Sequence, residues 1–196
     1  MSLLNKTQKD THAWGKAHSN ERHEGLTVNG TGYSEALKFS NLNNVIISNF
    51  DLIGGSEDAI DVVRGSDYTF KNGSIKCDHS NQGMTIKGGA ENITIQNIDF
   101  TGKPKFAFIV LGQYSDYDFC RDLPTKNIFI SNCKFPLNNR PSLITWNVKN
   151  IKTENNKNFS CITVPKFLFW IYFSFRKIQQ RIFHGKFGRN SVCSKI

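Results

Sequence analysis

Apolar residues recur along this chain in a fixed short frame. The segments Asn44-Val-Ile-Ile-Ser-Asn-Phe-Asp-Leu52, Asp67-Tyr-Thr-Phe-Lys-Asn-Gly-Ser-Ile75, Asn92-Ile-Thr-Ile-Gln-Asn-Ile-Asp-Phe100 and Asn127-Ile-Phe-Ile-Ser-Asn-Cys-Lys-Phe135 share one template, and a weaker copy opens at Asn150-Ile-Lys-Thr-Glu-Asn155. Within a copy, apolar and polar residues alternate: Ile93 and Ile95, then, beyond Asn97, Ile98 and Phe100. A period of two predicts strands with one buried face, and the break at the central residue predicts a bend between two of them. That central residue is Asn each time (Asn49, Asn72, Asn97, Asn132, Asn155). Asn tolerates left-handed backbone and can bond its own chain through the side-chain amide, so stacked copies would form an Asn ladder.

The first positions of the copies are separated by 23, 25, 35 and 23 residues. Between them lie further β-like stretches, among them Ala59-Ile-Asp-Val-Val63, Gly83-Met-Thr-Ile-Lys87 and Phe106-Ala-Phe-Ile-Val-Leu111. Three short strands in about 23 residues predict a solenoid in which each coil pairs with the next. The Leu-x-x-Leu-x-Leu spacing of a leucine-rich repeat is not found. The pattern over about residues 33–159 resembles the right-handed parallel β-helix of the pectate-lyase-like superfamily, and implies an all-β solenoid of about five coils. At about 4.7–4.9 Å per coil such a stack is only some 20–25 Å tall, so both ends need protection.

The expected organisation is an N-terminal cap over 1–32, in which Trp14 is placed to plug the first coil, the parallel β-helix over 33–159, and a different C-terminal tail over 160–196. In the tail acidic residues vanish and Phe167-Leu-Phe-Trp-Ile-Tyr-Phe-Ser-Phe175 appears. This run is too short to span a membrane, which takes about 20 apolar residues. Three readings stay open: an aromatic cap on the last coil, a membrane-surface segment with basic flanks, or a stretch of no selected structure on a truncated or shifted reading frame.

Charge changes the picture only after it is located. The chain of 196 residues has 25 Lys+Arg against 16 Asp+Glu, a formal charge of +9. All 16 acidic residues but only 17 of the basic ones lie in 1–155, so the excess belongs to the tail. A near-neutral body lacks the basic stripe that drives nucleic-acid affinity, and no nucleic-acid partner is expected for it. The five cysteines are scattered without a Cys-x-x-Cys pair, and His12, His18 and His23 match no zinc signature. The first twenty residues show no apolar leader core. Location is thus left open among a virion surface, non-classical export and the cytoplasm.

Two places carry candidate chemistry. In Gly54-Gly-Ser-Glu-Asp-Ala-Ile-Asp-Val-Val-Arg-Gly65, inward Ile60 and Val62 leave Asp61 outward, with Glu57 and Asp58 on the preceding turn and Arg64 at the bend before Gly65. One coil on, Met84 and Ile86 align with Ile60 and Val62, which sets Thr85 and Lys87 beside Asp61 and Val63. The plain reading of Asp61 and Lys87 is an exposed cross-strand ion pair. The resemblance implies more. Relatives that cleave acidic polysaccharides by β-elimination hold calcium on carboxylates and remove a proton with Arg or Lys, which makes Glu57, Asp58 and Asp61 candidate calcium or acid groups and Arg64 or Lys87 candidate bases. Glycoside hydrolases of this fold use an Asp cluster with Gly-His-Gly and Arg-x-Lys elements; here there is no Gly-His-Gly, and Thr85-Ile-Lys87 keeps only the Lys. Asp58 and Asp61 are then the candidate carboxylate pair.

The second place is the 35-residue excursion, whose excess falls at Gly112–Pro124. Tyr114 and Tyr117 offer flat faces to sugar rings, and Asp116, Asp118 and Arg121 offer groups for hydroxyls or a cation. The plain alternative is a solvated insertion closed by local Asp/Arg pairs. Two functions follow as expectations: a polysaccharide-binding and in one form depolymerising β-helix, or a non-catalytic structural or adhesive protein, for example a viral or phage surface component built as a homotrimer.

Overall fold

The computed structural model describes residues 17–113 and 123–164. The candidate residues Tyr114, Asp116, Tyr117, Asp118 and Arg121, the Trp14 plug and the aromatic tail lie outside the described residues.

The described chain forms strands β1 (Arg22–Glu24), β2 (Thr27–Asn29), β3 (Glu35–Ile53), β4 (Asp58–Lys76), β5 (Gln82–Lys87), β6 (Glu91–Thr101), β7 (Ala107–Gln113), β8 (Thr125–Ser131), β9 (Leu143–Thr145), β10 (Val148–Glu154) and β11 (Cys161–Thr163), with no helix among them. Every pairing is parallel. The single sheet is a spiral: β5 stacks on the first part of β4 and β6 on the rest, and each path continues upward through β7, β9, β11 or β8, β10. The result is a parallel β-solenoid of about five turns. Pairing begins inside the segment expected as the N-terminal cap, because β1 and β2 already lie on β3, and it runs on to Thr163.

The register explains the repeat. Residues separated by one period stand directly above one another, so Val45, Tyr68, Ile93 and Ile128 form one interior column and Ile47, Phe70, Ile95 and Ile130 another. All eight are at most 1% exposed, each contributing about 1.5–3 kcal/mol of burial at the large end of the side-chain scale. Aromatic rings stack in the same way, Phe100 on Phe135 at 4.9 Å between centroids and nearly parallel.

The bends carry the Asn signature. The central residues Asn49, Asn72, Asn97, Asn132 and Asn155 all have φ between 53° and 55°. The first residue of each copy is also left-handed: Asn44, Asp67, Asn92, Asn127 and Asn150, at φ 56–61°. Each coil therefore turns twice within six residues, at positions where a Cβ costs about 1–2 kcal/mol unless the side chain bonds locally. The ladder forms. Asn127 Nδ2 donates to Asn92 Oδ1 at 3.0 Å and Asn150 Nδ2 to Asn127 Oδ1 at 3.0 Å, while in the central row Asn97 Nδ2 donates to Asn72 Oδ1 at 2.8 Å.

Asn97→Ala removes this bond and leaves a Cβ in a left-handed bend, so it should destabilise by about 1–3 kcal/mol. Asn97→Gly loses the bond but relaxes the backbone and should cost less. Urea unfolding of the two variants checks the order; an Ala variant as stable as the Gly variant would remove the bend as the reason for Asn.

Candidate functional site

The first candidate lies on the outer face of the sheet made by the opening parts of β3 and β4 with β5. Alternation is broken at its edge: Ala59 and Ile60 both pack in the core, so Asp58 and Asp61 leave the coil on the same side. The register Glu35↔Asp58↔Gln82 and Lys38↔Asp61↔Thr85 stacks the neighbouring coils onto them, and Lys87 stands beside Val63 as the sequence predicts. Lys38 Nζ meets Asp61 Oδ2 at 3.1 Å and Glu35 Oε1 at 3.0 Å. Lys87 Nζ meets Asp61 Oδ1 at 3.0 Å.

The ion pair of Asp61 and Lys87 thus exists, but it is not an exposed surface pair: Asp61 is 1% accessible and the Lys87 side chain 16%. Three buried carboxyl groups meet two ammonium groups, of which Lys38 keeps a third of its side chain exposed, and Glu35 Oε2 and Asp58 Oδ1 are buried without a hydrogen-bond partner. Two ammonium groups neutralise at most two carboxylates. The excess falls on Asp58, whose pKa is pushed well above its ordinary value by burial and by the Asp61 charge, against a smaller opposing pull from Lys87 and the Thr85 hydroxyl. Burial likewise raises Glu35, partly offset by Lys38. For Lys38, burial pulls the pKa down, but the Asp61 and Glu35 carboxylates outweigh it and the net shift is upward.

The other candidates on this coil sit at its turns, and the Glu57 charge still reaches the cluster, adding to the rise of the Glu35 pKa. Glu57 is exposed on the turn. Arg64 sits at the bend with φ 63°, and its carbonyl accepts from the Tyr68 hydroxyl at 3.0 Å. Ammonium groups meet both oxygens of Asp61, where the resemblance would set a calcium ion. Among the described residues no group of three or more His, Cys, Asp or Glu side chains is placed to hold a metal. Glu35 and Lys38 escaped the sequence reading, although Glu35-Ala-Leu-Lys38 has the same spacing as Asp58-Ala-Ile-Asp61 one period later.

A second feature lies around the coil, on the outer face of the repeat itself. An open trough of about 420 Å³ is lined by Asn44, Asp67, Asn92 and Asn127 on one side and by Ile46, Thr69, Thr94 and Phe129 along its floor. These are two adjacent ladder columns. Asp67 takes the Asn position in the second rung, accepting from Asn92 Nδ2 at 2.9 Å and from Ser66 Oγ at 2.6 Å; these bonds, Ser66 first, lower its pKa. At the far end Lys152 Nζ lies 5.3 Å from the centroid of the Phe129 ring. The floor residues were visible in the repeat as its outward third position, but nothing in one copy shows that four of them line a trough.

Comparison with family models, curated proteins and solved structures returned no match for this chain.

The cluster makes a definite demand on pH. A carboxyl whose pKa is higher folded than unfolded binds more protons in the folded state, so its stability contribution is full below the unfolded value and falls as pH rises from there to the folded value. Asp58, with an ordinary value of 3.8, should make the protein less stable as pH rises above about 4, and Glu35 acts in the same direction. Asp58→Asn should flatten that fall, measured as urea midpoints from pH 4 to 8. An unchanged pH profile in the variant would show that Asp58 does not carry the excess proton.

Proposed function

We propose that this β-solenoid is a carbohydrate-binding protein that takes a glycan along the trough of Thr69, Thr94 and Phe129, with the Asn44, Asp67, Asn92 and Asn127 rung ends as its polar wall. The observation that carries the reading is the trough itself. It runs across four coils, with an amide or carboxylate at one register position of each coil and the Thr69 and Thr94 hydroxyls at the next outward position of the two middle coils, a spacing of about 4.8 Å set by strand pairing. A linear glycan presents hydroxyl groups at a comparable repeat and an apolar ring face that suits the Ile46 and Phe129 floor. A rigid scaffold lowers the ordering cost of such binding, because the wall amides are already fixed by their ladder bonds.

A hydrolytic reading rests on a different observation. Asp58 is driven toward its protonated form next to Asp61, whose oxygens contact two ammonium groups, and a raised acid beside a second carboxylate is the division of labour that glycoside hydrolysis requires. In the structure both carboxyls are at most 4% accessible, so a substrate would have to displace what covers them. Binding without cleavage is therefore the preferred reading. Stiffness and regular stacking also suit the non-catalytic structural or adhesive role.

Calorimetric titration with a panel of neutral, acidic and amino-sugar oligosaccharides tests the proposal. Phe129→Ala and Thr94→Val should each weaken binding of the best member by about tenfold, or about 1.4 kcal/mol, with folding unchanged. Failure of every panel member to bind would overturn the reading. New reducing ends that disappear in Asp61→Asn would instead establish the hydrolytic one.

A further inference from the structure

Three successive loops meet at one corner of the solenoid: 77–81 join β4 to β5, 102–106 join β6 to β7, and 132–142 join β8 to β9. Hydrogen bonds stack them. Lys105 N–H donates to the Ser80 carbonyl at 3.0 Å and Phe106 N–H to that of Asn81 at 2.9 Å, while Phe108 N–H donates to the Pro141 carbonyl at 3.2 Å and Asn138 Nδ2 to that of Gly102 at 3.2 Å. Pro104 is buried and anchors the middle loop, whereas Lys103, Lys105 and Phe106 around it are exposed. Phe106 keeps 51% of its surface in water, and Leu137, on the loop above, keeps 88%, the most of any large apolar residue among those described. Neither belongs to the core cluster.

The corner is also basic. The acidic side chains at and beside these loops are already matched, Asp78 by Lys76 at 3.5 Å and Asp99 by Lys134 at 3.9 Å. Lys103, Lys105 and Arg140 meet no carboxylate among the described residues, and neither does Lys157, whose backbone pairs with that of Lys134. Glu57, whose carbonyl accepts from Asn81 N–H at 2.6 Å, bounds this basic stretch one coil below. Unmatched ammonium and guanidinium groups thus surround two apolar side chains that stand out from loops fixed by their hydrogen bonds.

This combination selects among partners. A soluble polyanion, whether an acidic glycan or a nucleic-acid strand, would answer the charges but leave Leu137 in water. An anionic bilayer answers both: its headgroups attract clustered Lys and Arg, and the boundary beneath them takes up exposed apolar side chains. We propose that this corner docks the protein on an anionic lipid surface, with Leu137 and Phe106 entering the headgroup region and Lys103, Lys105 and Arg140 facing the lipid phosphates. It shares no residue with the trough, so the two surfaces are independent.

Flotation of the full chain with vesicles of phosphatidylcholine and phosphatidylserine at about three to one, against phosphatidylcholine alone, tests this. The wild type should bind the anionic vesicles only. Lys103→Glu with Lys105→Glu should weaken that binding by about tenfold or more, and the charge-neutral Leu137→Ser by about fivefold. All three positions are exposed, so urea midpoints should stay at the wild-type value; if the double variant shifts, Lys103→Gln with Lys105→Gln gives the same comparison with a smaller perturbation. No binding of the wild type to anionic vesicles would overturn the proposal. So would equal binding by every variant, which would place the contact on basic residues elsewhere in the chain. Binding lost in the lysine variant but unchanged in Leu137→Ser would also overturn it, and would mark the corner as a contact for a soluble polyanion.

Discussion

Parallel pairing in register is the constraint on which everything else in this molecule depends. Each coil satisfies the backbone donors and acceptors of its neighbours along almost its whole path, which is possible only if successive coils have the same outline. The outline is set at the bends. Two left-handed residues five positions apart turn the chain at the same place in every coil, and Asn fills nearly all of these places because it tolerates that backbone and, in the first-position row above all, bonds the side chain of the neighbouring coil. Where Asp67 replaces Asn, the bend persists but the rung can only accept, and Ser66 and Asn92 supply the donors.

Stacking converts one residue type into a column, and columns behave differently indoors and out. Inside, Ile, Val and Phe columns gain burial at each coil with little loss of fit. On the outer face of β3, β4 and β5 the same stacking places Glu35 over Asp58 and Lys38 over Asp61, charges that must be neutralised by one another because water is scarce there. Desolvating such groups costs several kcal/mol per ion and is only partly repaid by their attraction. The molecule meets that cost with two lysines, and on the third carboxyl, Asp58, burial and the Asp61 charge push the pKa upward. On the repeat face, by contrast, the Thr and Asn columns remain wet and form a surface rather than a core. The two faces therefore suit different tasks: one is a closed ionic lock between coils, the other an accessible polar trough.

Much of the fold is legible in the sequence because the repeat is one-dimensional. Alternation marks the strands, the central Asn marks a bend, and the spacing of the copies sets the register; the alignment of Met84 and Ile86 with Ile60 and Val62, and hence of Lys87 with Val63, follows from counting alone. Counting misses what depends on backbone shape. That Asn44 and its equivalents are also left-handed is hidden, since a first position in a repeat looks like any strand start. That Asp58 shares a face with Asp61 is hidden as well, because strict alternation at a separation of three would put them on opposite sides, and only the inward turn of both Ala59 and Ile60 reverses this.

The sequence by itself determined the element type, the coil length and the identity of the interior columns, because these rest on local periodicity and on residue types that repeat. Only the tertiary structure decided which charges meet and how dry they are. Whether Asp61 and Lys87 form a weak exposed pair or part of a largely buried cluster of five ionisable groups depends on Lys38 and Glu35 one coil away and on the exclusion of water from that face, and solvent exclusion is a property of the packed assembly that no single strand encodes. The trough has the same origin: four unremarkable outward residues, Ile46, Thr69, Thr94 and Phe129, become a surface only when strand pairing lines them up.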